Sequence, residues 1–296
     1  MIAMSKFGHM GSMWSTIGLV LFSCSDPATA NSHNSSSPLL SQQECSFLKE
    51  TRIELPSLMR LLAVSNGSDG KCFDSRLATE VGVSSDCNVN IEKRTSDYVL
   101  EWFAPGVEEK SDEVGKMIEV EAQKIKSTTG LSYISPNGAL NYPQRISYIL
   151  IDKDVFERDR RGFIEAYIAR EDLLVPDLRE QFFEEFIKNS VGFCQTFNLS
   201  TGAGEIVHSQ VIIKYSGNLS DMESCVETQT AAAFGIDLLR IAREIPSVSD
   251  RKRLTEPVMA KILLKLLYSP EIRNGESVQD ALSQIGLRLT QECFAP

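Results

Sequence analysis

The alternation of apolar and polar positions along the chain predicts several β-strands. Residues 145–152 are apolar on both faces, which predicts a strand at the buried centre of a sheet. In residues 206–215, Val211 and Ile213 share one face and His208 lies on the other, as expected for a strand. Further strands are predicted at residues 97–103, 131–134, 139–142, 163–170 and 195–199.

Apolar residues spaced three and four positions apart predict helices between these strands and after them. One helix is predicted to begin at an N-cap, Ser111, and to end at Gly130. A second is predicted to open at a capping box of Ser220 and Glu223 and to end at Gly235. Others are predicted at residues 57–64, from Pro176, at 255–267 and at 277–289. This order of elements predicts an α+β fold, in which a mixed sheet packs against helices and is followed by a C-terminal helical part.

The first 44 residues have the pattern of an export signal followed by a flexible tether. Residues 1–23 contain one charged residue and a short apolar run, which suits a signal peptide and is too short to cross a bilayer. Residues 24–44 are rich in Ser and Asn, which predicts a tether. Two cleavage sites compete: a lipobox ending at Cys24, which would carry lipid, and a small-x-small site ending at Ala30.

The chain has seven cysteines, of which six remain when Cys24 is assigned to lipidation. An even number in an exported chain predicts up to three disulfides, with fifteen possible connectivities, and buried free thiols are the alternative. The favoured pairs are Cys72–Cys87, Cys194–Cys225 and Cys45–Cys293. Residues 45–96 are therefore predicted to be an N-terminal disulfide-containing segment that precedes the main domain, residues 97–296.

The balance of charges narrows the class of partner. With 40 acidic against 30 basic residues, the chain is poorly suited to general nucleic-acid binding or to a polybasic membrane patch. Only three histidines are present, and two of them precede residue 45. A metal site that needs two histidines from the main domain is therefore excluded, and no cofactor is expected.

Residues 194–287 contain a distinctive order of elements. A cysteine-containing strand leads to an alternating strand and then to a capped helix with Cys225 near its start. The helix ends in Ala-Phe-Gly-Ile at residues 233–236, and Leu-Thr-Glu at 254–256 precedes Leu-Leu-Tyr-Ser-Pro at 266–270. This order resembles a family of uncharacterised bacterial exported proteins, a domain of unknown function often carried by lipoproteins.

That family in turn resembles the zincin metallopeptidase fold, in which a His-Glu-x-x-His helix binds zinc and supplies a base. When residues 235–236 are placed on the Gly-Leu that follows this helix, the two ligand positions hold Thr228 and Ala232, and the base position holds Gln229. Alanine has no ligand atom and glutamine cannot take a proton. The resemblance therefore implies a zincin-like domain with no metal site and no catalytic residue.

Two functional hypotheses follow. The first is a catalytically inactive, lipid-anchored or secreted domain on the periplasmic side of a bacterial membrane, which binds an envelope protein or a peptide along a sheet edge. The alternative is a peptidase-like hydrolase that uses non-standard residues. The candidate remnant cleft comprises Glu227, Thr228, Gln229, Ala232 and His208. A solvated glutamate is the simpler interpretation of Glu227, and a surface or hydrogen-bonded structural histidine is the simpler interpretation of His208.

Overall fold

The computed structural model describes residues 38–66, 90–104, 108–134, 144–152, 158, 194–215, 219–238 and 257–295. The described strands are β1 (Tyr98–Phe103), β2 (Tyr133–Ile134), β3 (Arg145–Asp152), β4 (Cys194–Ser200) and β5 (Ile206–Tyr215). The described helices are α1 (Gln42–Glu50), α2 (Leu55–Ser65), α3 (Glu108–Thr129), α4 (Leu219–Ala233), α5 (Pro257–Leu267) and α6 (Val278–Leu289), and a π-helical turn spans Thr290–Phe294. The predicted signal peptide, Cys24, the strands at 139–142 and 163–170 and the helix from Pro176 lie outside the described residues.

The five strands form one mixed sheet in the order β2-β1-β3-β5-β4. Strands β2, β1, β3 and β5 run parallel to one another, whereas β4 runs antiparallel to β5. The central position of β3 confirms the prediction from its two apolar faces, because a strand with helices or loops on both sides must be apolar on both. Helices and a mixed sheet in one chain give the predicted α+β class.

Strand alternation divides the sheet into two faces. The face that packs against α4 carries Tyr148 and Leu150 from β3, and Val211 and Ile213 from β5. We call this the helix face. The opposite face carries other buried residues from the same strands: Ser147, Ile149, Ile151, His208, Gln210 and Ile212.

Two helix boundaries show how local sequence sets where a helix begins or ends. Helix α4 ends at Ala233, and Gly235, the predicted terminating residue, follows two positions later with a φ of +95°. A Cβ at Gly235 would lie 2.5 Å from the Glu92 carbonyl oxygen, so both backbone conformation and space require glycine there. The prediction that Ser111 caps α3 is wrong, since the helix already begins at Glu108. The glutamates before Ser111 are good helix formers, and they extend the helix backwards.

The composition of residues 38–44 predicts that they belong to the tether, but they lie in the same compact unit as the rest of the described chain. Ser41 caps α1, and the Glu44 side chain returns to the Ser41 backbone in a capping box. Burial acts to raise the pKa of Glu44, but hydrogen bonds from Lys265 and Ser41 outweigh it and leave the pKa lowered. Apolar residues of α1 and α2 lie in the same buried cluster as those of α5 and α6, so the segment before residue 97 shares its core with the C-terminal helices.

Two of the three predicted disulfides are present. Cys45 and Cys293 join α1 to the π-helical turn, with their Cα atoms 5.1 Å apart. Cys194 and Cys225 join β4 to α4, with their Cα atoms 5.9 Å apart. The third predicted pair, Cys72–Cys87, lies outside the described residues. The two bonds indicate an oxidising, exported environment.

A buried arginine lies where the sheet meets the end of α4. Arg94 is 1% exposed, and its Nε donates to the Ala233 carbonyl oxygen at 3.1 Å. Its Nη2 donates to the Arg145 carbonyl oxygen at 2.9 Å and to Ser209 Oγ. Burial lowers the pKa of Arg94 to about 10, so the guanidinium remains charged at neutral pH. One side chain thus connects β3, β5 and the C-terminus of α4.

The two disulfides differ in the length of chain they close, 248 residues for Cys45–Cys293 and 31 for Cys194–Cys225. Because a longer closed loop restricts the unfolded chain more, replacing both Cys45 and Cys293 with Ser should lower the free energy of unfolding by about 3–5 kcal/mol. The matched double Cys→Ser replacement at Cys194 and Cys225 should cost about 2–4 kcal/mol. Urea unfolding under non-reducing conditions measures both losses. A clearly larger loss for the shorter loop would contradict this ranking.

Candidate functional site

Helix α4 carries the positions that the zincin resemblance assigns to a metal and a base. Gln229, at the base position, is 2% exposed and faces β4. Its Oε1 accepts a hydrogen bond of 2.8 Å from Thr196 Oγ1, which also lies 3.0 Å from the Gln229 carbonyl oxygen. Within the described part of the chain its Nε2 has no hydrogen-bond partner. The amide therefore fills a closed contact between α4 and β4.

The residues at the two ligand positions, Thr228 and Ala232, also make structural contacts. The Thr228 hydroxyl donates to the Ser224 carbonyl oxygen of its own helix at 2.8 Å. Ala232 is buried, and its carbonyl oxygen accepts from Asn198 Nδ2 at 2.8 Å. The site that the resemblance points to is thus a packed seam, in which three alternate residues of β4 contact α4: Cys194, Thr196 and Asn198.

Glu227 lies away from this seam. Its carboxylate is partly exposed, and Lys124 Nζ of α3 lies 3.6 Å from its Oε1. The same ammonium lies 2.9 Å from Glu121 Oε2. Glu227 therefore faces α3 and solvent, consistent with the simpler interpretation of a partly solvated glutamate.

His208 does not join the other candidates, which corrects the predicted grouping. It is paired in register with Arg145 and lies on the opposite face of the sheet from α4. The next residue, Ser209, faces α4 and donates to the Ala233 carbonyl oxygen at 3.3 Å. His208 is also only 3% exposed, so of the simpler interpretations the hydrogen-bonded structural histidine fits and a surface position does not. The sheet separates it from Glu227, because consecutive strand residues point to opposite faces.

A polar cluster that sequence reasoning missed surrounds His208. Ser147 Oγ lies 3.2 Å from His208 Nε2 and donates to Glu101 Oε1 at 2.7 Å. Arg145 Nη1 lies 3.5 Å from the same carboxylate oxygen. Gln210 is the register neighbour of Ser147 on this face. The signal for this cluster in the sequence is the alternation of polar residues along each strand, since its members fall on one face at adjacent register positions of β1, β3 and β5.

The direction of the hydrogen bonds in this cluster limits its chemistry. Because the Ser147 hydroxyl donates to Glu101, its oxygen can accept a hydrogen bond from His208 Nε2 in the tautomer that carries the proton on that nitrogen. In a nucleophilic dyad the imidazole accepts from the hydroxyl. In this arrangement the proton of the Ser147 hydroxyl is directed to Glu101, and the hydroxyl oxygen positions the buried histidine.

Neither a metal cluster nor a membrane-spanning helix is found in the described ranges. No three side chains of His, Cys, Asp or Glu are grouped there so that they could hold a metal ion. None of the helices described is both long and apolar enough to cross a bilayer. Comparison with known proteins finds no matching family model, no similar curated protein and no similar solved structure.

The buried contact of Gln229 makes this residue a packing element. Gln229→Ala removes the bond to Thr196 and leaves a gap, so the free energy of unfolding should fall by about 1–2 kcal/mol. Gln229→Met keeps the volume and removes the unpartnered amide nitrogen, so it should stay within about 1 kcal/mol of the parent. Thr228→Ala, the control on the same helix, should change stability by less than about 0.5 kcal/mol. Equal losses for Gln229→Ala and Thr228→Ala in urea unfolding would refute this assignment.

Proposed function

We propose that the chain is an exported, lipid-anchored, catalytically inactive metallopeptidase-like domain that binds an extended segment of an envelope protein. The observation that supports the proposal is that the three positions to which the zincin resemblance assigns ligands and a base hold residues that bind α4 to β4 or to itself. Zinc needs imidazole, thiolate or carboxylate ligands with an open position for water. A threonine hydroxyl bonded within its helix, a buried amide and a methyl group do not fit that requirement.

The surface that supports binding is β4. It forms one edge of the described sheet and runs antiparallel to its only described neighbour, β5. Leu199 on this strand is 40% exposed, which is high for a large apolar side chain. An exposed strand edge is a template for an added strand, and peptide binding by strand addition uses main-chain hydrogen bonds that no catalytic residue is needed to form. The disulfide and the hydrogen bonds to α4 hold β4 rigid for this purpose.

A charge on β4 provides the test. The probes are linear peptides that are selected from a random library for binding to the parent protein. Leu199→Lys should weaken the binding of these peptides by at least about tenfold, because a lysine on an edge strand opposes strand addition. Leu287→Lys is the matched control, since Leu287 is 70% exposed on α6, a helix that follows β4 in the chain after β5, α4 and α5. Biolayer interferometry gives the affinities, and circular dichroism checks that both variants are folded.

Two results would contradict the proposal. If both lysine variants bound the selected peptides as well as the parent did, β4 would not be the binding edge. If the purified protein kept one equivalent of zinc through dialysis, the inactive assignment would be wrong and the hydrolase alternative would replace it.

The lipid anchor is proposed from the signal-like first 23 residues and the Cys24 that follows them. The disulfides of the folded unit support export, because such bonds persist in oxidising compartments. If Cys24 carries the lipid, Cys24→Ala should release the protein from the membrane fraction without blocking its export. If the chain is instead cleaved after Ala30, Cys24 is removed with the signal peptide, and the replacement should not change the location of the protein. Fractionation followed by immunoblotting distinguishes the two cleavage sites.

A further inference from the structure

A groove of about 190 Å³ lies between α3 and α4, on a side of α4 that does not contact β4. Its apolar lining comes from Met117 and Val120 of α3 and from Val226 of α4. Val120 is 57% exposed, so it presents an apolar surface to solvent. The groove is open and has room for one or two side chains of a binding partner.

Carboxylates outnumber cations around this apolar floor. Glu121, Glu223 and Glu227 line the groove, together with Lys116 and Lys124. Lys124 is shared, with its Nζ 2.9 Å from Glu121 and 3.6 Å from Glu227. Glu223 is exposed, and no hydrogen bond or ion pair of its side chain is found among the described residues.

The carboxylates also repel one another. Glu223 and Glu227 are four residues apart on α4, and like charges at that spacing destabilise a helix. Burial raises the pKa of Glu121, with further contributions from Glu227 and Glu223, and the ion pair with Lys124 only partly offsets this. An additional positive charge in the groove would therefore relieve an existing repulsion.

We propose that this groove docks a cationic amphipathic segment of a partner protein. One apolar side chain of the partner would cover Val120 and Met117, and a neighbouring Lys or Arg would lie between Glu223 and Glu227. Lys124 already shows that an ammonium fits between carboxylates here. The carboxylates do not form a metal-holding group within the described residues, and their charge disfavours an anionic lipid or nucleic acid.

This proposal does not depend on the binding of a peptide to β4. Helix α4 uses Cys225, Gln229 and Ala232 toward β4, whereas Val226 and its two glutamates line the groove. Leu199→Lys should therefore leave groove binding unchanged. Failure of one proposal would not imply failure of the other.

The probe is a fluorescent helical peptide of leucine and lysine arranged so that the leucines form one face, compared with its counterpart in which glutamate replaces lysine. We expect the lysine peptide to bind the purified full-length protein and the glutamate peptide to bind at least about tenfold more weakly. The double replacement of Glu223 and Glu227 with Gln, and separately Val120→Ser, should each weaken binding of the lysine peptide by about tenfold.

Matched controls separate the groove from the general acidity of the chain. Replacing Glu54 and Glu119 with Gln removes the same amount of negative charge from outside the groove. Glu54 precedes α2 and Glu119 lies on α3, both are exposed, and neither lines the groove. Val258→Ser truncates another exposed valine, 41% exposed on α5. Fluorescence anisotropy should show parent-like affinity for both controls. If the controls weaken binding as much as the groove variants do, or if both peptides bind equally, the proposal is wrong.

Discussion

The fold depends on a positive charge buried without a carboxylate partner among the described residues. The Arg94 guanidinium is held instead by carbonyl oxygens and by ring faces, with Tyr98 and Phe234 each 5.7 Å from its central carbon. One of those carbonyls, that of Ala233, lies at the C-terminus of α4, where the helix dipole favours a cation. Removing a charge from water is costly, so this arrangement persists only because sheet, helix end and rings are placed together.

The position of α4 follows from that contact. Its C-terminus is held at Arg94, one side is joined to β4 by a disulfide and hydrogen bonds, and another side contacts α3 through the Lys124–Glu227 ion pair. A helix held at these three places has little freedom to move away from β4. The β4 edge of the described sheet and the groove beside α3 lie outside these contacts, and the two proposals rest on these surfaces.

Much of the fold could be predicted because the relevant patterns are local. The two apolar faces of residues 145–152 require a central strand, and Gly235 ends its helix because only glycine fits there. Ser277 caps α6 at the predicted start of that helix, since its side chain accepts from the Asp280 backbone three residues on. The capping box at Ser41 is equally local, but it follows a polar stretch whose composition predicts a tether, although α1 packs in the core.

The sequence by itself determined which residues stand at the three positions that the zincin resemblance points to, the strand periodicity and the number of cysteines that can pair, because each is a property of residue type and spacing. Tertiary structure alone decided what those residues contact. It directed Gln229 to Thr196, put His208 across the sheet beside Ser147 and Glu101, and brought Lys124 between two carboxylates from different helices. Contacts between residues far apart in the chain depend on strand register and helix packing, and neither is encoded in a local pattern.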